Sequence, residues 1–260
     1  KNKSGVTLVA NSGCNGKFVS VMDIKFSGKS YIYEYKLIPI LSNEITPNIE
    51  MNKFITRVSE PYKSQLDETA GYASETLYRR SNFNGTFDDL LCDSMNNVLD
   101  TQLSLSPGFR WGATLLPNQR ITMNDIYNHT AITYPNTYVR EMTGETIKNI
   151  LEDVADNIFN EDPYLQQGGD MVRTRGIKYS INPKKTINNR ISNLRLNNDI
   201  TIKPNKLYKV SGWASVNNIE KGRPIWDIAT EYLKSIGQYK VDNTKKIDVI
   251  GQKDNMGIDI

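Results

Sequence analysis

Hydrophobic and polar residues alternate in the first part of the chain, as they do in half-buried strands. Three segments fit this pattern, namely residues 6–10, 18–24 and 31–40. The Ser27-Gly28-Lys29 sequence is a turn signal and predicts that the last two strands form a hairpin. Residues 48–67 then repeat apolar positions at helical spacing, so we predict a helix that Pro61 kinks or breaks.

Helices and strands mix without strict alternation after about residue 72, which indicates an α+β (mixed α/β) fold. The clearest helix follows Thr143, a good N-cap residue, and keeps one apolar face from Ile147 to Phe159. The other predicted helices cover residues 85–100, 122–128 and 224–236. The other predicted strands cover residues 102–106, 132–142, 177–181, 191–196 and 207–213.

The change from strands to a long helix and then to mixed elements predicts three parts. Residues 1–43 would be the remnant of one sheet, residues 44–71 a connecting helix or linker, and residues 72–260 a compact unit. The chain begins at Lys1 without Met or a signal peptide, so we expect it to be a piece of a longer protein. A sheet remnant exposes an edge and an apolar face, so residues 1–43 should be the least ordered part or aggregate.

The composition is that of an ordinary soluble globular protein, with 38% hydrophobic and 23% charged residues. A net charge of +3 from scattered basic residues does not favour nucleic acid as a partner, because phosphate binding needs clustered Lys and Arg. No apolar run approaches the roughly 20 residues that cross a bilayer, so no membrane partner is expected either. We expect a monomer.

Few residues of the chain are suited to catalysis. The one histidine, His129, cannot supply the several His and Asp ligands of a two-metal hydrolytic site, so we expect neither catalytic residues nor metal ligands here. Its loop-like setting predicts a surface or hydrogen-bonded loop residue, with a place in a pocket wall as the alternative. Cys92 is predicted to be a buried thiol, and a bridge to Cys14 is the alternative.

Two glycine-rich loops that contain arginine are the candidate binding elements. The first is SPGFRWG at residues 106–112, which includes Arg110. The second is QQGGDMVR at residues 166–173, which includes Gly168, Gly169, Asp170 and Arg173. Glycines let the backbone approach a ligand closely, and arginine offers a planar fork to an oxyanion. The alternative for the first loop is a tight turn with its arginine on the surface, and the alternative for the second is a turn that leads into a strand.

These loops belong to a longer series of motifs. The sequence YRRSNFNGTFDDLLCD at residues 78–93 resembles the opening of the C-terminal domain of 5′-nucleotidases, and its NFNGTFD form is similar to SoxB-type thiosulfohydrolases. Both glycine-rich loops are similar to that family, and so are ITYPNTYVREMTGE at 132–145, LEDVADNIFN at 151–160 and VSGWASV at 210–216. The stretch ANSGCNGKF at 10–18 resembles the end of the family's metallophosphatase domain.

The resemblance implies a fold like the 5′-nucleotidase C-terminal domain, preceded by a remnant of the metallophosphatase sandwich. In the longer protein, a domain upstream of Lys1 would contain the catalytic residues and would hold two manganese ions. The C-terminal domain would supply substrate contacts. The residue equivalent to Arg110 contacts phosphate in nucleotidases, so the resemblance gives Arg110 an oxyanion-binding role. It also places Asn84, Asn15 and His129 among the substrate-binding residues.

The reaction implied by the resemblance belongs to bacterial sulfur oxidation. An S-sulfosulfanyl-L-cysteine sulfohydrolase would release sulfate from a cysteine S-thiosulfonate on the SoxYZ carrier in the periplasm, and this chain alone would be inactive. One alternative is a periplasmic 5′-nucleotidase or phosphoesterase of the same superfamily, and another is a non-catalytic module that docks the carrier. Residues 217–226 lack the nucleotidase base-stacking pattern, and Tyr127-Asn128-His129 replaces its Pro-Phe segment, which favours the sulfohydrolase.

Overall fold

The computed structural model of the chain describes residues 7–13, 16–28, 30–41, 43–216, 222–244 and 246–251. The chain divides into two compact units, residues 1–63 and residues 64–260. In the described ranges, no helix is both long and apolar enough to cross a membrane. The three-part division at residues 43 and 71 stays a prediction.

An antiparallel hairpin opens the first unit. Strand β1 (Phe18–Ser27) pairs with strand β2 (Ser30–Pro39) along its full length, from Phe18 opposite Pro39 to Ser27 opposite Ser30. The predicted hairpin is confirmed. The strand predicted at residues 6–10 is wrong over residues 7–10, which lie outside any strand, and residue 6 lies outside the described residues.

The helix of the first unit ends where the sequence places proline. Helix α1 (Ile49–Ser59) begins after Asn48, whose side chain accepts a hydrogen bond from the backbone N–H of Met51. A 3-10 turn at Glu60–Tyr62 follows, and then the single turn of helix α2 (Lys63–Leu66). Proline has no N–H with which to continue the α-helical ladder, so the predicted break at Pro61 is confirmed.

The second unit combines three small sheets with helices, which confirms the α+β class. The largest sheet pairs, in this order, β6 (Thr137–Thr143), β10 (Leu207–Trp213), β4 (Leu103–Ser106) and β7 (Arg173–Arg175). Strands β10 and β4 are parallel, and the other neighbours are antiparallel. The second sheet pairs β11 (Gln238–Tyr239), β3 (Thr69–Ala73) and β5 (Arg120–Thr122). The third pairs β12 (Ile247–Val249), β8 (Ile177–Ile181) and β9 (Ile191–Leu196).

The helices of the second unit bury one face each in a hydrophobic core. They are α3 (Thr86–Val98), α4 (Met123–Thr130), α5 (Gly144–Phe159) and α6 (Ile225–Ile236). One core packs α3, through the fully buried Leu90 and Leu91, with Leu233 of α6. The other packs Leu151 of α5 with Val210 of β10. Burial of an aliphatic side chain of this size contributes about 1.5–3 kcal/mol.

Two boundary details concern α5 and the strand before it. Thr143 caps α5 as predicted, because its hydroxyl accepts a hydrogen bond of 3.1 Å from the backbone N–H of Thr146. The strand predicted for residues 132–142 is wrong in its first part, since β6 begins only at Thr137. Pro135 has no N–H to donate to a sheet ladder, and Asn136 forms an isolated bridge to Pro224.

Candidate functional site

The two glycine-rich loops meet at Arg110. The Nε atom of Arg110 donates a hydrogen bond of 2.8 Å to Oδ1 of Asp170, and Nη2 donates one of 2.6 Å to the carbonyl oxygen of Gly169. The Arg110 side chain is 47% exposed, whereas the Asp170 side chain is 1% exposed. Three of the predicted site residues are therefore brought together. Their binding of a substrate stays a prediction.

Glycines allow the two loops to approach. A Cβ atom on Gly108 would lie 2.5 Å from the carbonyl oxygen of Met171, so any larger residue would push the loops apart. Gly168 and Gly169 have φ angles of +80° and +96°, in the left-handed region that glycine adopts without strain. A Cβ atom on either would meet nothing within 4 Å, so conformation rather than space requires glycine there.

A buried chain of alternating charges lies behind Arg110. Oδ2 of Asp170 is 3.1 Å from Nη2 of Arg173, and Nε of Arg173 is 3.2 Å from Oδ2 of Asp88. The other Asp88 oxygen, Oδ1, is 2.7 Å from Nη2 of Arg79. The side chains of Arg79, Asp88, Asp170 and Arg173, which we call the buried ion-pair network, are 0–1% exposed. This network fixes the Asp170 carboxylate that holds Arg110.

Arg173 lies inside this network and not at its surface. Its Nη2 atom also donates to the carbonyl oxygens of Arg79 and Ser81, the first at 3.1 Å. The loop that precedes helix α3 is thereby tied to strand β7. A buried guanidinium with these partners positions other groups, and contact with a substrate by Arg173 stays a prediction.

Aromatic side chains cover the Arg79 end of the network. The Arg79 guanidinium carbon lies 5.3 Å from the ring centre of Phe109, 5.7 Å from Trp111 and 5.8 Å from Trp213. The rings of Phe109 and Trp111 stack with 3.9 Å between their centres. Cation–π attraction is stronger where water is excluded, as it is here. The loop that contains Arg110 is therefore held by its own aromatic residues against a buried cation.

His129 lies in the last turn of helix α4, so the prediction of a surface or loop position is wrong. The Thr122 side chain and the Asp125 side chain form a capping box that starts this helix and places His129 inward. The imidazole is 1% exposed and stacks on Phe87 with 3.7 Å between ring centres. The His129 carbonyl oxygen accepts hydrogen bonds from Nη1 of Arg79 and from Nε1 of Trp111.

Burial makes the His129 imidazole a very weak base. Burial, with the nearby Arg79 cation, lowers the pKa of His129 from 6.5 to about 3, although the Ala113 backbone opposes this shift. Neither ring nitrogen has a hydrogen-bond partner of good geometry among the described residues. A Cβ atom on Gly112, whose φ is +98°, would lie 2.2 Å from Nδ1 of His129. The ring therefore supports the Arg110 loop from behind, and substrate contact by His129 stays a prediction.

We expect the free energy of unfolding of His129→Leu to depend less steeply on pH, on the acid side, than that of the wild-type protein. In the wild-type protein the unfolded chain binds a proton below pH 6.5, whereas the folded imidazole resists protonation down to about pH 3. Folding stability from this group is therefore complete above pH 6.5 and is lost as the pH falls. The loss should be roughly 2–3 kcal/mol between about pH 6.5 and 4.5.

The measurement is urea unfolding of both proteins across this pH range. Burial raises the pKa of Asp88 and of Asp89, which adds a slope of opposite sign. That slope is common to the two proteins, so their difference reports on position 129. Parallel profiles for wild type and His129→Leu would contradict the assignment.

Asn84 lies at a different place from Arg110. Its Nδ2 atom donates a hydrogen bond of 3.3 Å to Oδ2 of Asp89, and both residues line a cavity of about 370 Å³ to which residues 106–112 and 166–173 do not contribute. Asn15 and Cys14 lie outside the described residues. Cys92 is buried and free, as predicted for a structural thiol.

Sequence reasoning passed over Arg79 and Asp88, although both lie within the motif at residues 78–93. A signal for Asp88 was present. Positions 88, 91 and 95 fall on one stripe of helix α3, and Leu91 and Met95 on that stripe are fully buried. An acid on an apolar stripe requires a buried cationic partner, and the sequence offers several arginines without distinguishing among them.

The described part of the chain contains no group of three or more His, Cys, Asp or Glu side chains that could hold a metal ion. The residues present therefore do not fit a manganese pair, and we assign no chemical step to a metal on this chain. The catalytic residues and metal ligands were expected upstream of Lys1. Lys1 itself lies outside the described residues, and this expectation stays a prediction.

Residues 61–218 match the family model of the 5′-nucleotidase C-terminal domain. The chain belongs to this family. A search of curated proteins gave no match. The fold described above, with its mixed four-stranded sheet and the helices packed in its two cores, is thus the fold of a 5′-nucleotidase C-terminal domain.

Solved structures with this fold include a sulfur enzyme and nucleotidases. The sulfate thiohydrolase SoxB of Thermus thermophilus, solved with glycerol, has a TM-score of 0.86 and 28% identity over 93% of this chain and 46% of that one. A 5′-nucleotidase precursor from Thermus thermophilus has a TM-score of 0.75 and 15% identity over 91% and 50%. The NAD nucleotidase of Haemophilus influenzae has a TM-score of 0.58 and 15% identity over 90% and 54%.

The similarity of this chain to the two nucleotidase structures shows only that the fold is shared. The chain spans about half the length of each of these solved structures. It matches the C-terminal part of the SoxB and 5′-nucleotidase architecture, as the motifs predicted.

Proposed function

We propose that this chain is the substrate-binding part of a sulfohydrolase that releases sulfate from a cysteine S-thiosulfonate on a carrier protein. The observation on which this rests is the setting of Arg110. Its bonds to Asp170 and Gly169 use Nε and Nη2, and no bond from Nη1 is seen among the described residues. The side chain is half exposed. The Nη1 atom of this fixed, half-exposed guanidinium is suited to donate hydrogen bonds to a sulfonate oxygen.

Hydrolysis of this substrate breaks the bond between the carrier-side sulfur and the sulfonate sulfur. Water adds its oxygen to the sulfonate sulfur, sulfate leaves, and the carrier keeps the remaining sulfur as a persulfide. Arg110 would hold sulfonate oxygens as negative charge builds on them and on the leaving sulfur. Donors fixed before the reaction need no reorganisation when that charge develops. The attacking water would be activated by the longer protein's metal site, for which we propose two manganese ions.

A nucleotide substrate is the second candidate, and the local packing argues against it. Tyr127 and Trp226 occupy the stretches where the nucleotidase pattern is replaced. Their rings pack edge to face with 5.6 Å between centres and 69° between planes, and both pack against the hydrophobic core. Rings engaged in this way are less available for stacking on a base. The higher identity to SoxB than to the nucleotidases agrees with this choice.

Further parts of the proposal concern the longer protein. The carrier would be SoxYZ, whose flexible arm presents the modified cysteine, and the compartment would be the periplasm. The protein would act as a monomer. If it binds the carrier without turnover, it is a docking module, which is the third candidate.

The experiment compares two proteins and two substrates. We expect the longer protein, loaded with manganese, to release sulfate from a carrier-derived peptide bearing a cysteine S-thiosulfonate, and to leave AMP intact. We expect this chain alone to release neither sulfate nor phosphate above background, because it has one histidine and no metal-ligand cluster in its described part.

The outcomes separate the candidates. Faster release of phosphate from AMP than of sulfate would establish the nucleotidase. Carrier binding without release of either product would establish the docking module. Turnover by this chain alone, or two manganese ions bound to it, would contradict the expectation that the catalytic site lies elsewhere.

A further inference from the structure

Asp170 lies between Arg110 and the buried ion-pair network, and both its carboxylate oxygens have arginine partners. Oδ1 accepts the hydrogen bond of 2.8 Å from Nε of Arg110 and lies 2.6 Å from Nη2 of the same residue. Oδ2 lies 3.1 Å from Nη2 of Arg173. The Asp170 side chain is 1% exposed. A substrate at this place would therefore contact Arg110, and not the carboxylate behind it.

The charge of Asp170 also argues against its contact with the proposed substrate. A sulfonate is an anion, and like charges placed side by side repel each other. Arg110 and the buried ion-pair network together contain three arginines and two aspartates, which leaves one positive charge. Asp170 lowers this positive charge and so adds nothing to the attraction of an anion. Any benefit of Asp170 to the site is therefore geometric.

Asp170 restricts the positions that the Arg110 guanidinium can take. An arginine side chain at the surface has many rotamers, and ordering it has an entropic cost. Arg110 is half exposed, yet both its Nε and its Nη2 are engaged. The second acceptor of Nη2 is the carbonyl oxygen of Gly169 at 2.6 Å, so two neighbouring residues fix the plane of the guanidinium. The direction of Nη1 is fixed with it.

The surroundings of Asp170 hold its carboxylate in place. Arg173, which binds Oδ2, is itself bound to Asp88 and to the carbonyl oxygens of Arg79 and Ser81. On the other side the backbone of Gly108 is close, since a Cβ atom there would lie 2.8 Å from Cβ of Asp170. The Asp170 side chain is therefore a rigid support for Arg110.

We propose that Asp170 is a positioning residue, which holds Arg110 so that Nη1 is directed at the sulfonate before the reaction begins. This inference rests on the proposed function. Donors that are fixed in advance stabilise developing charge without reorganisation, and a displacement of about 1 Å can lower a rate about 10²-fold. Asp170 acts through Arg110 and does not touch the substrate.

The first test is the kinetics of Asp170→Asn in the longer protein loaded with manganese, with the carrier-derived thiosulfonate peptide as substrate. Asn is close to Asp in shape and removes the charge that holds Arg110. We expect kcat to fall about 10–100-fold. KM should not rise, because Arg110 keeps its charge and the site loses a negative one.

A double-mutant cycle with Arg110→Ala separates positioning from a structural role. If Asp170 acts only through Arg110, adding Asp170→Asn to Arg110→Ala should lower kcat/KM by less than about twofold. A residue that serves only the fold would lower it by the same factor in both backgrounds. Asp93→Asn is the matched control, since Asp93 holds Arg175 by two bonds of 2.6 Å elsewhere in the unit. Its effect on kcat/KM should be the same with and without Arg110.

Solvent exchange of the Arg110 Nε–H gives a readout that needs no turnover. It is measured by NMR on the 260-residue chain, and Arg110→Lys and Arg195→Lys assign the two signals. Arg195 is the reference, because it is 43% exposed and its Nε lies 3.4 Å from the carbonyl oxygen of Asn193. The Arg110 Nε–H should exchange at least about tenfold more slowly, since its bond to a carboxylate is short and charge-assisted. Asp170→Asn should remove this difference.

The outcomes distinguish this inference from the proposed function. If the wild-type longer protein releases no sulfate, the proposed function fails and this inference fails with it. If it releases sulfate, additive losses in the cycle overturn this inference alone, and so does a higher KM with unchanged kcat. Equal exchange at Arg110 and Arg195 in the wild-type chain also overturns it, and this measurement decides if Asp170→Asn does not fold.

Discussion

Replacement of Asp88 by alanine is expected to lower the free energy of unfolding by about 3–5 kcal/mol. Asp88 is the shared partner of two buried arginines, with 2.7 Å to Arg79 and 3.2 Å to Arg173. Without its carboxylate, both guanidinium groups would keep their charge in a site that water does not reach. Removing one partner of a buried pair costs this much because the remaining charge is left uncompensated.

Urea unfolding of the purified variants measures this effect. Since small domains are stable by only about 5–15 kcal/mol, Asp88→Ala could unfold altogether, so Asp88→Asn serves as the milder variant. Asn keeps hydrogen-bond acceptance and loses the charge, and it should be destabilised by a smaller amount. Glu231→Ala is the control, because Glu231 pairs with Arg223 at the exposed surface and should change stability by about 1 kcal/mol or less. A similar small change for Asp88→Ala would show that Arg79 and Arg173 do not depend on it.

How well the sequence predicts an element depends on the length of that element. Helix α5 was predicted from its N-cap to its last turn because one apolar face repeats over its whole length. Strands β5, β7 and β11 have two or three residues each and were missed, since a period of two cannot be recognised in so short a run. Their positions are set by the neighbours they pair with, which the local sequence does not reveal.

The sequence predicted which loops form the candidate site, but not which charged residues pair with one another there. Glycines beside Arg110 and at residues 168–169 indicated two close-approaching loops, and the structure joins them by the bonds of Arg110 to Gly169 and Asp170. Which acid would pair with which arginine could not be read from the sequence. The position of His129 was predicted wrongly. A polar residue was expected to face water, whereas its ring is stacked on Phe87.

Asp170 connects the buried network with the surface. One of its oxygens binds Arg173, and the other binds the exposed Arg110. Loss of Arg110 would leave Asp170 paired with Arg173, so the fold should tolerate that loss. This asymmetry separates the two largest expected effects, since we expect Asp88 to act on stability and Arg110 on chemistry.

We expect Arg110→Ala to lower kcat/KM of the longer protein for the carrier-bound thiosulfonate by about 10²–10³-fold, or roughly 3–4 kcal/mol. The reason is the loss of a fixed donor where sulfonate charge develops. Stability should change by about 1 kcal/mol or less, because the pair with Asp170 is half exposed on the Arg110 side. Sulfate release measures the kinetic effect, and urea unfolding measures the stability.

Two further variants test whether the geometry of Arg110 matters. Arg110→Lys keeps the charge but loses the planar fork that now spans Asp170 and Gly169, so it should recover only part of the lost rate. Arg195→Ala is the matched control, since Arg195 is 43% exposed and its pair with Asp199 lies at the surface. It should leave sulfate release unchanged. If Arg110→Ala and Arg110→Lys both turn over the thiosulfonate at the wild-type rate, Arg110 has no part in binding the oxyanion, and its bonds to the second loop serve only to hold the two loops together.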